Sequence, residues 1–128
     1  MADFTDAQYF LNRECTWVKF NERVLREAIV PSNPLLEQLN FIAIAASNLD
    51  EFFMIRVAGV KHLVESGVKH IDIAGMTPQE QFEAIQSMVH KLVGDQYRYY
   101  GDIQQKLQAH GLHFIGVDAL DDDQRLWL

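Results

Sequence analysis

The chain has 128 residues, of which 48% are hydrophobic and 23% are charged, and this composition is typical of a single globular domain. Eighteen acidic and eleven basic residues give a formal net charge of −7, and the basic residues are scattered singly, so we expect neither nucleic acid nor an acidic lipid surface as a partner. A single cysteine excludes an internal disulfide, and the lack of a signal peptide or of an apolar run of about 20 residues predicts a cytoplasmic protein without a transmembrane segment.

Two helices are predicted in the first part of the chain. Thr16 is a suitable N-cap for a first helix that runs to about Val30 and is ended by Pro31. Its inner face should consist of residues at helical spacing: Trp17, Phe20, Val24, Leu25 and Ala28. Asn33 as cap and Pro34 at the first helical position start a second helix. The apolar stripe of this helix comprises Leu35, Leu36, Leu39, Ile42, Ala43 and Ala46.

A polar cluster then separates two apolar runs. Ser47 and Asp50 fit the capping-box pattern, which predicts that the second helix ends here and that a third helix begins, over residues 49–66. The inner face of the third helix should be Leu49, Phe52, Phe53, Val57, Val60, Leu63 and Val64. A cap stabilises by about 1 kcal/mol, which accounts for Ser47 and Asp50 but not for Asn48. Arg56 lies on the apolar stripe, and the sequence does not identify its partner.

A fourth, longer helix follows a loop that contains a short extended piece at residues 70–73. Thr77 as N-cap, Pro78 at the first position and Glu80 start this helix, which should end near Ala109, before Gly111. Its apolar positions alternate at spacings of three and four, which favours packing along an antiparallel partner: Phe82, Ile85, Val89, Leu92, Gln96, Tyr99 and Ile103.

The predicted fold class is therefore all-α, a four-helix unit with a long antiparallel helical hairpin. Residues 1–109 form the helical domain, and residues 110–128 form a linker with a short extended segment and the start of another helix. Because that last helix stops on three apolar residues, we expect the unit to be truncated at its C-terminus and the sequence to be a piece of a longer chain.

Few residues have the spacing of a catalytic or metal site. His110 and His113 with Asp118 and Asp121 could hold a metal on a helix, but Gly111 makes a solvated loop the preferred interpretation. Asp50 and Glu51 could suggest magnesium, yet adjacent helical residues point about 100° apart. Cys15 has no histidine nearby, which favours a buried thiol over a nucleophile. Tyr97, Tyr99 and Tyr100 could stack on a nucleotide base, although packing against a helix or subunit is the interpretation we favour.

Two blocks carry a family resemblance. Residues 12–28, with "TWVKFNERVLREA", and residues 33–61, with "SNLDEFFMIRVA", resemble the N-terminal segment of bacterial polyphosphate kinases of the first type. Cys15-Thr16 replaces the usual Leu-Ser, and Gln38 replaces the usual Arg. The matching positions include Trp17, Phe20, Asn21, Arg23, Val24, Leu25, Pro34, Leu35, Glu37, Phe41, Ser47, Asn48, Leu49, Asp50, Glu51, Phe52, Arg56, Val57 and Ala58.

The resemblance implies an enzyme that moves the γ-phosphoryl group of ATP to polyphosphate through a phosphorylated histidine. It places that histidine, the Mg²⁺ site and the polyphosphate tunnel in later domains, so this segment holds no catalytic or metal-binding residue and would be inactive alone. It further implies that residues 110–128 lead into the head domain, that Asn48 contacts the adenine of ATP, and that the full-length enzyme is a homo-oligomer. Its expected location is the cytoplasm, either free or associated with the membrane as a kinase complex.

Two other functions fit the residues without the resemblance. The chain could be a stand-alone helical interaction module that docks through its long helix, in which case the natural reading frame would end at residue 128. It could also be a small metal-dependent hydrolase, which would require carboxylates and histidines to converge across helices and which a metal-content assay would reveal.

Overall fold

The computed structural model describes residues 5–128 of the chain. That range contains helices and no β-strand, which confirms the all-α class and the four-helix unit, formed by α1 to α4. The α-helices are α1 (Arg13–Arg26), α2 (Leu35–Phe52), α3 (Ala58–Glu65), α4 (Pro78–Ala109) and the short α5 (Asp122–Trp127). A π-helical segment (Phe53–Val57) joins α2 to α3, and 3-10 turns cover Ala7–Tyr9, Glu27–Ile29 and Val117–Ala119.

The first helix starts earlier than the sequence predicts. Asn12, not Thr16, is the N-cap of α1, because its side-chain oxygen accepts a 2.8 Å hydrogen bond from the backbone N–H of Cys15. Thr16 lies in the first turn, and its hydroxyl donates to the carbonyl of Asn12. The amide nitrogen of Asn12 also donates to Asp72 at 2.7 Å, which ties this helix start to the loop before α4.

The inner face of α1 differs from the predicted one as well. The buried side chains follow the spacing of a single helix face, but two of them are polar: Glu14, Val18, Asn21, Leu25 and, in the following turn, Ala28. Phe20, predicted to be buried, is 47% exposed, and Trp17 and Val24 are only partly buried. The helix is therefore rotated so that Trp17 and Phe20 lie at the margin of the core.

The predicted break at the polar cluster is absent. Residues 35–65 form one continuous helical rod, and Ser47 and Asp50 lie inside α2, so the capping box predicted there is wrong. The helix continues because Ala45, Leu49 and Phe52 extend one buried face through the cluster. A Ser, Asn or Asp in a helix interior costs at most about 0.7 kcal/mol relative to Ala, whereas burying a Leu or Phe stabilises by about 1.5–3 kcal/mol. The start of α2 also shifts by one residue, since Pro34 is its N-cap.

The π-helical segment changes the register of the rod. Before it, buried positions recur at spacings of three and four, as in Ala45, Leu49 and Phe52, but the next buried residue is Val57, five positions after Phe52. The segment closes with a hydrogen bond from the N–H of Ala58 to the carbonyl of Phe53. This extra residue in the turn returns the apolar face of α3 to the core.

The long helix α4 is confirmed from its first to its last residue. Its capping box is complete, because Thr77 accepts from the N–H of Glu80 and the Glu80 carboxylate accepts from the N–H of Thr77 at 2.7 Å. The helix ends before Gly111, whose φ of +80° closes it with backbone bonds back to Gln108 and, from the next residue, to Leu107.

The core lies between α1, the rod of residues 35–65, and α4, and all three contact one another. Leu35 at the start of the rod and Leu107 at the end of α4 line one cleft, and Val60 and Pro78 line another. This is the order expected if the rod and α4 run antiparallel. The long hairpin itself stays a prediction. The division after Ala109 stays a prediction too. Residues 110–128 are almost entirely exposed, and α5 begins with a capping box at Asp121, as the acidic start of that segment suggests. No helix within residues 5–128 combines the length and apolarity needed to cross a bilayer.

Candidate functional site

Asn48 lies in the interior of α2, one turn after Ala45 and one turn before the π-helical segment. The third helix predicted to begin at the polar cluster would have placed Asn48 at a helix start, and that prediction is wrong. Its side chain is half-buried and faces α1, where its Nδ2 donates a 3.1 Å hydrogen bond to Oδ1 of Asn21. The structure thus places the predicted site residue between two helices rather than at a bend.

Asn21 continues this contact into the core. Its side chain is 0% exposed, and its Nδ2 donates to the carbonyl oxygen of Ala45 at 2.9 Å. The result is a short polar chain across the α1–α2 interface, from the Ala45 carbonyl through Asn21 to Asn48. The remaining polar atoms of Asn48, its Oδ1 and the second hydrogen on Nδ2, form its outer edge. Within residues 5–128, no side chain or backbone group donates a hydrogen bond to that Oδ1. The atom is not buried, so it stays accessible to solvent or to a ligand.

An open cleft of about 340 Å³ lies beside Asn48, which we call the α1–α2 cleft; it is lined by Trp17, Phe20, Asn48, Glu51, Phe52, Ile55 and Arg56. Two of the lining side chains are held by stacking: the ring of Phe52 stacks on Trp17 with the centroids 4.1 Å apart and the planes within 4° of parallel. Phe20 and Ile55 are more than 40% exposed and offer apolar surface to a flat ligand. Ligand sites typically combine such apolar walls with a few polar groups of fixed direction.

Arg56, whose partner the sequence does not identify, pairs with Glu14. Its Nη1 lies 3.3 Å from Oε2 of Glu14, while Oε1 of the same carboxylate accepts from Arg13 at 2.8 Å. The Glu14 side chain is only 8% exposed, so the Arg56 contact links α1 to the π-helical segment through a nearly buried charge. Arg56 also lines the α1–α2 cleft, and its guanidinium is already engaged in this ion pair.

The tyrosine cluster divides between packing and solvent. Tyr99 and Tyr100 pack against the core, which agrees with the interpretation we favour for them. Tyr97 is 73% exposed, and it lines a second cleft, of about 330 Å³, between α2 and α4. Arg98 lies 5.2 Å from the ring centroid of Tyr99 and pairs with Asp95 at 2.7 Å.

The other candidate residues are not brought together. Among residues 5–128 there is no group of three or more His, Cys, Asp and Glu side chains that could hold a metal ion, and this includes His110, His113, Asp118 and Asp121. Burial raises the pKa of the Cys15 thiol above its ordinary value of 9.0; Lys19 opposes this shift, and nearby carboxylates add to it. A thiol with a raised pKa is a poor nucleophile at neutral pH.

Comparison with known proteins gives a consistent result. The family model of the polyphosphate kinase N-terminal domain matches residues 10–115. A polyphosphate kinase of Halalkalibacterium halodurans is 48% identical over 128 residues, which cover 98% of this chain and 18% of that protein. The polyphosphate kinase of Staphylococcus haemolyticus is 52% identical over 109 residues, covering 84% of this chain and 15% of the relative. That of Thermosynechococcus vestitus is 42% identical over 127 residues, covering 98% and 17%. The chain thus spans less than a fifth of the relatives' length, and no solved structure matches it.

Proposed function

The chain belongs to the family of the polyphosphate kinase N-terminal domain, and we propose that it is the N-terminal part of an enzyme that transfers the γ-phosphoryl group of ATP to polyphosphate. The transfer would proceed through a phosphorylated histidine in a later part of the enzyme. The relatives that match nearly all of this chain carry the name polyphosphate kinase, which supports this assignment. The remaining domains of the same polypeptide would be the principal partners of this segment, in a cytoplasmic homo-oligomer.

Within that enzyme, the role we propose for this segment is to cover the adenine end of bound ATP. One observation carries the proposal: the amide of Asn48 presents an unused acceptor and donor beside a cleft with aromatic walls. Adenine needs such a combination, because it offers flat apolar faces for stacking and a donor next to an acceptor along its edge. The site does not depend on the helix break that the sequence predicts, since the amide reaches the cleft from the interior of α2.

Phosphate and metal handling belong, in this proposal, to the rest of the enzyme. A formal net charge of −7 opposes the binding of a polyanion, and residues 5–128 hold no cluster suited to Mg²⁺. Arg56 is the one basic side chain that lines the α1–α2 cleft among residues 5–128, and it is paired with Glu14. The segment on its own is therefore expected to be inactive and to bind ATP weakly, because it supplies only one wall of the pocket.

The substitution Asn48→Ala in the full-length enzyme tests the adenine contact. One hydrogen bond contributes about 0.5–1.5 kcal/mol, so the KM for ATP should rise by about several-fold to tenfold. The kcat should change little, because the amide acts on the base and not on the transferring phosphorus. Steady-state kinetics with ATP varied at saturating polyphosphate measures both constants.

Asn40→Ala is the matched control, since Asn40 is an exposed asparagine on the same helix, outside the α1–α2 cleft. It should leave both constants unchanged. A loss of kcat at unchanged KM in Asn48→Ala would argue that the residue serves another purpose.

A further inference from the structure

We propose that Asn21 is a positioning residue that fixes which way the Asn48 amide faces, and that this direction makes the α1–α2 cleft select adenine over guanine. The proposal rests on the proposed function, because it presumes that Asn48 meets the purine of the nucleotide. It goes further by naming a residue that would not itself touch the nucleotide. It also names the property of the purine that this residue would select, which is the order of hydrogen-bond donor and acceptor along its edge.

The direction of both amides follows from the chemistry of the polar chain. The carbonyl of Ala45 can only accept a hydrogen bond, so Asn21 must turn its NH₂ group toward it, at 2.9 Å. The oxygen of Asn21 is then left facing Asn48, and it too can only accept. Asn48 must therefore direct its NH₂ group at Asn21, at 3.1 Å, and its oxygen away.

Reversing either amide is unfavourable in this environment. Rotating Asn48 alone by half a turn would place its oxygen against the oxygen of Asn21 at hydrogen-bonding distance. Rotating both would place the oxygen of Asn21 against the carbonyl of Ala45, inside a core where Asn21 is 0% exposed and water cannot intervene. A buried polar atom without a partner costs about 1–3 kcal/mol, so the orientation shown is strongly preferred.

The fixed direction matters because adenine and guanine present opposite patterns at the same positions. Adenine has an amino donor at position 6 beside an acceptor at N1 or N7, which matches the acceptor and donor of the outer edge of Asn48. Guanine has an oxygen at position 6 beside a donor at N1, which matches the same amide only after it has been reversed. A freely rotating asparagine could thus serve either base, whereas an asparagine held by Asn21 serves adenine.

The test compares ATP and GTP as phosphoryl donors in the full-length enzyme carrying Asn21→Leu, a change close to isosteric that removes both polar contacts. The ratio of kcat/KM for ATP to that for GTP should be roughly 10- to 100-fold in the unaltered enzyme, the discrimination that a bidentate base contact provides. In Asn21→Leu this ratio should fall to about 3 to 5, mainly because GTP becomes a better substrate. In an Asn48→Ala background, Asn21→Leu should leave the ratio unchanged.

The outcomes separate this inference from the function on which it rests. If Asn48→Ala alters neither the KM for ATP nor the ratio, the proposed adenine contact fails. If Asn48→Ala raises the KM but a folded Asn21→Leu enzyme keeps the full ratio, or loses kcat/KM equally for both nucleotides, Asn21 is only structural and the inference is wrong. Should circular dichroism show that Asn21→Leu is unfolded, Asn21→Ser is assayed in its place, because the serine hydroxyl is too short to reach Asn48 and the same ratio applies.

Discussion

The ion pair between Glu14 and Arg56 gives the sharpest prediction about stability. The Glu14 side chain is 8% exposed and Arg56 is 36% exposed, so replacing Arg56 by Met removes one of two partners from a nearly buried carboxylate. Breaking a fully buried pair costs about 3–5 kcal/mol. The cost here should be smaller, about 1–2 kcal/mol, because Arg13 still pairs with the carboxylate and part of the Arg56 guanidinium is already hydrated. The methionine keeps the apolar stem, so packing is little changed.

Urea and thermal unfolding of the 128-residue chain would measure this effect. A loss of about 1–2 kcal/mol corresponds to roughly 4–8 °C in Tm for a domain of this size. Arg13→Met is the matched control, because it removes a contact to the same carboxylate from a side chain that is 80% exposed, and it should cost less than about 0.5 kcal/mol. In Glu14→Gln, a neutral amide replaces the carboxylate. In that background Arg56→Met should lower the free energy of unfolding by clearly less than in the unaltered chain. Equal losses for the two arginines, or an unchanged effect in Glu14→Gln, would refute the assignment of a buried pair.

Two further predictions concern helix caps and the single thiol. Thr77→Ala should lower the free energy of unfolding by about 1 kcal/mol through loss of a real cap, whereas Ser47→Ala should leave it unchanged or slightly higher, since Ala is the better residue in a helix interior. Similar losses in the two variants would indicate that the chain does cap a helix at Ser47 after all. The rate of Cys15 alkylation by iodoacetamide should have its pH midpoint above 9.0, and Lys19→Gln should move the midpoint higher, because removing that cation withdraws the one influence that lowers the pKa. A midpoint below 9.0 would contradict the effect of burial on the thiol, and a downward shift in Lys19→Gln would contradict the influence assigned to Lys19.

The long helix α4 is predictable from sequence because local chemistry and tertiary packing agree along its whole length. Thr77, Pro78 and Glu80 specify its start without reference to any other part of the chain, and Gly111 specifies its end. Between them the apolar residues keep one face, and the two internal glycines lower helix propensity by only about 1 kcal/mol each, which the packing outweighs. Where a local signal and the buried face coincide, sequence alone is sufficient.

At the polar cluster the two kinds of signal disagree, and packing prevails. Ser47 and Asp50 have the spacing of a cap, but no Gly or Pro stands nearby to end the helix, and the buried face passes through Leu49 and Phe52. The five-residue step from Phe52 to Val57 is the only local sign of the π-helical segment. That sign is easily hidden in a sequence whose neighbouring residues, from Phe53 to Ile55, are apolar as well.

The site was only half visible in the sequence for a related reason. Asn48 is conspicuous as an amide that capping does not explain, but Asn21 is not conspicuous, because an apolar face drawn through Trp17 and Phe20 leaves it on the outside of the helix. The buried face contains Glu14 and Asn21 at helical spacing from Val18, and a search restricted to apolar residues cannot find it. The sequence signal for this face is the seven-residue spacing of Glu14 and Asn21. Each of them lies four residues before a buried hydrophobic residue, Val18 or Leu25.

If Asn48 contacts adenine as we propose, the continuous helix would hold its amide in a more defined direction than a bend would. A cap residue at a helix start has backbone freedom that the interior of α2 denies to Asn48, whose only remaining motion is rotation of its side chain. Asn21 removes most of that freedom through the hydrogen bond from a fully buried position, and the parallel stack of Trp17 on Phe52 fixes the neighbouring wall. Recognition of this kind needs direction more than binding strength, because a single reversed amide changes which purine is complementary. On our proposal, the buried Asn21, which adds polarity to the core, serves to hold Asn48 in one direction through the hydrogen bond between the two side chains.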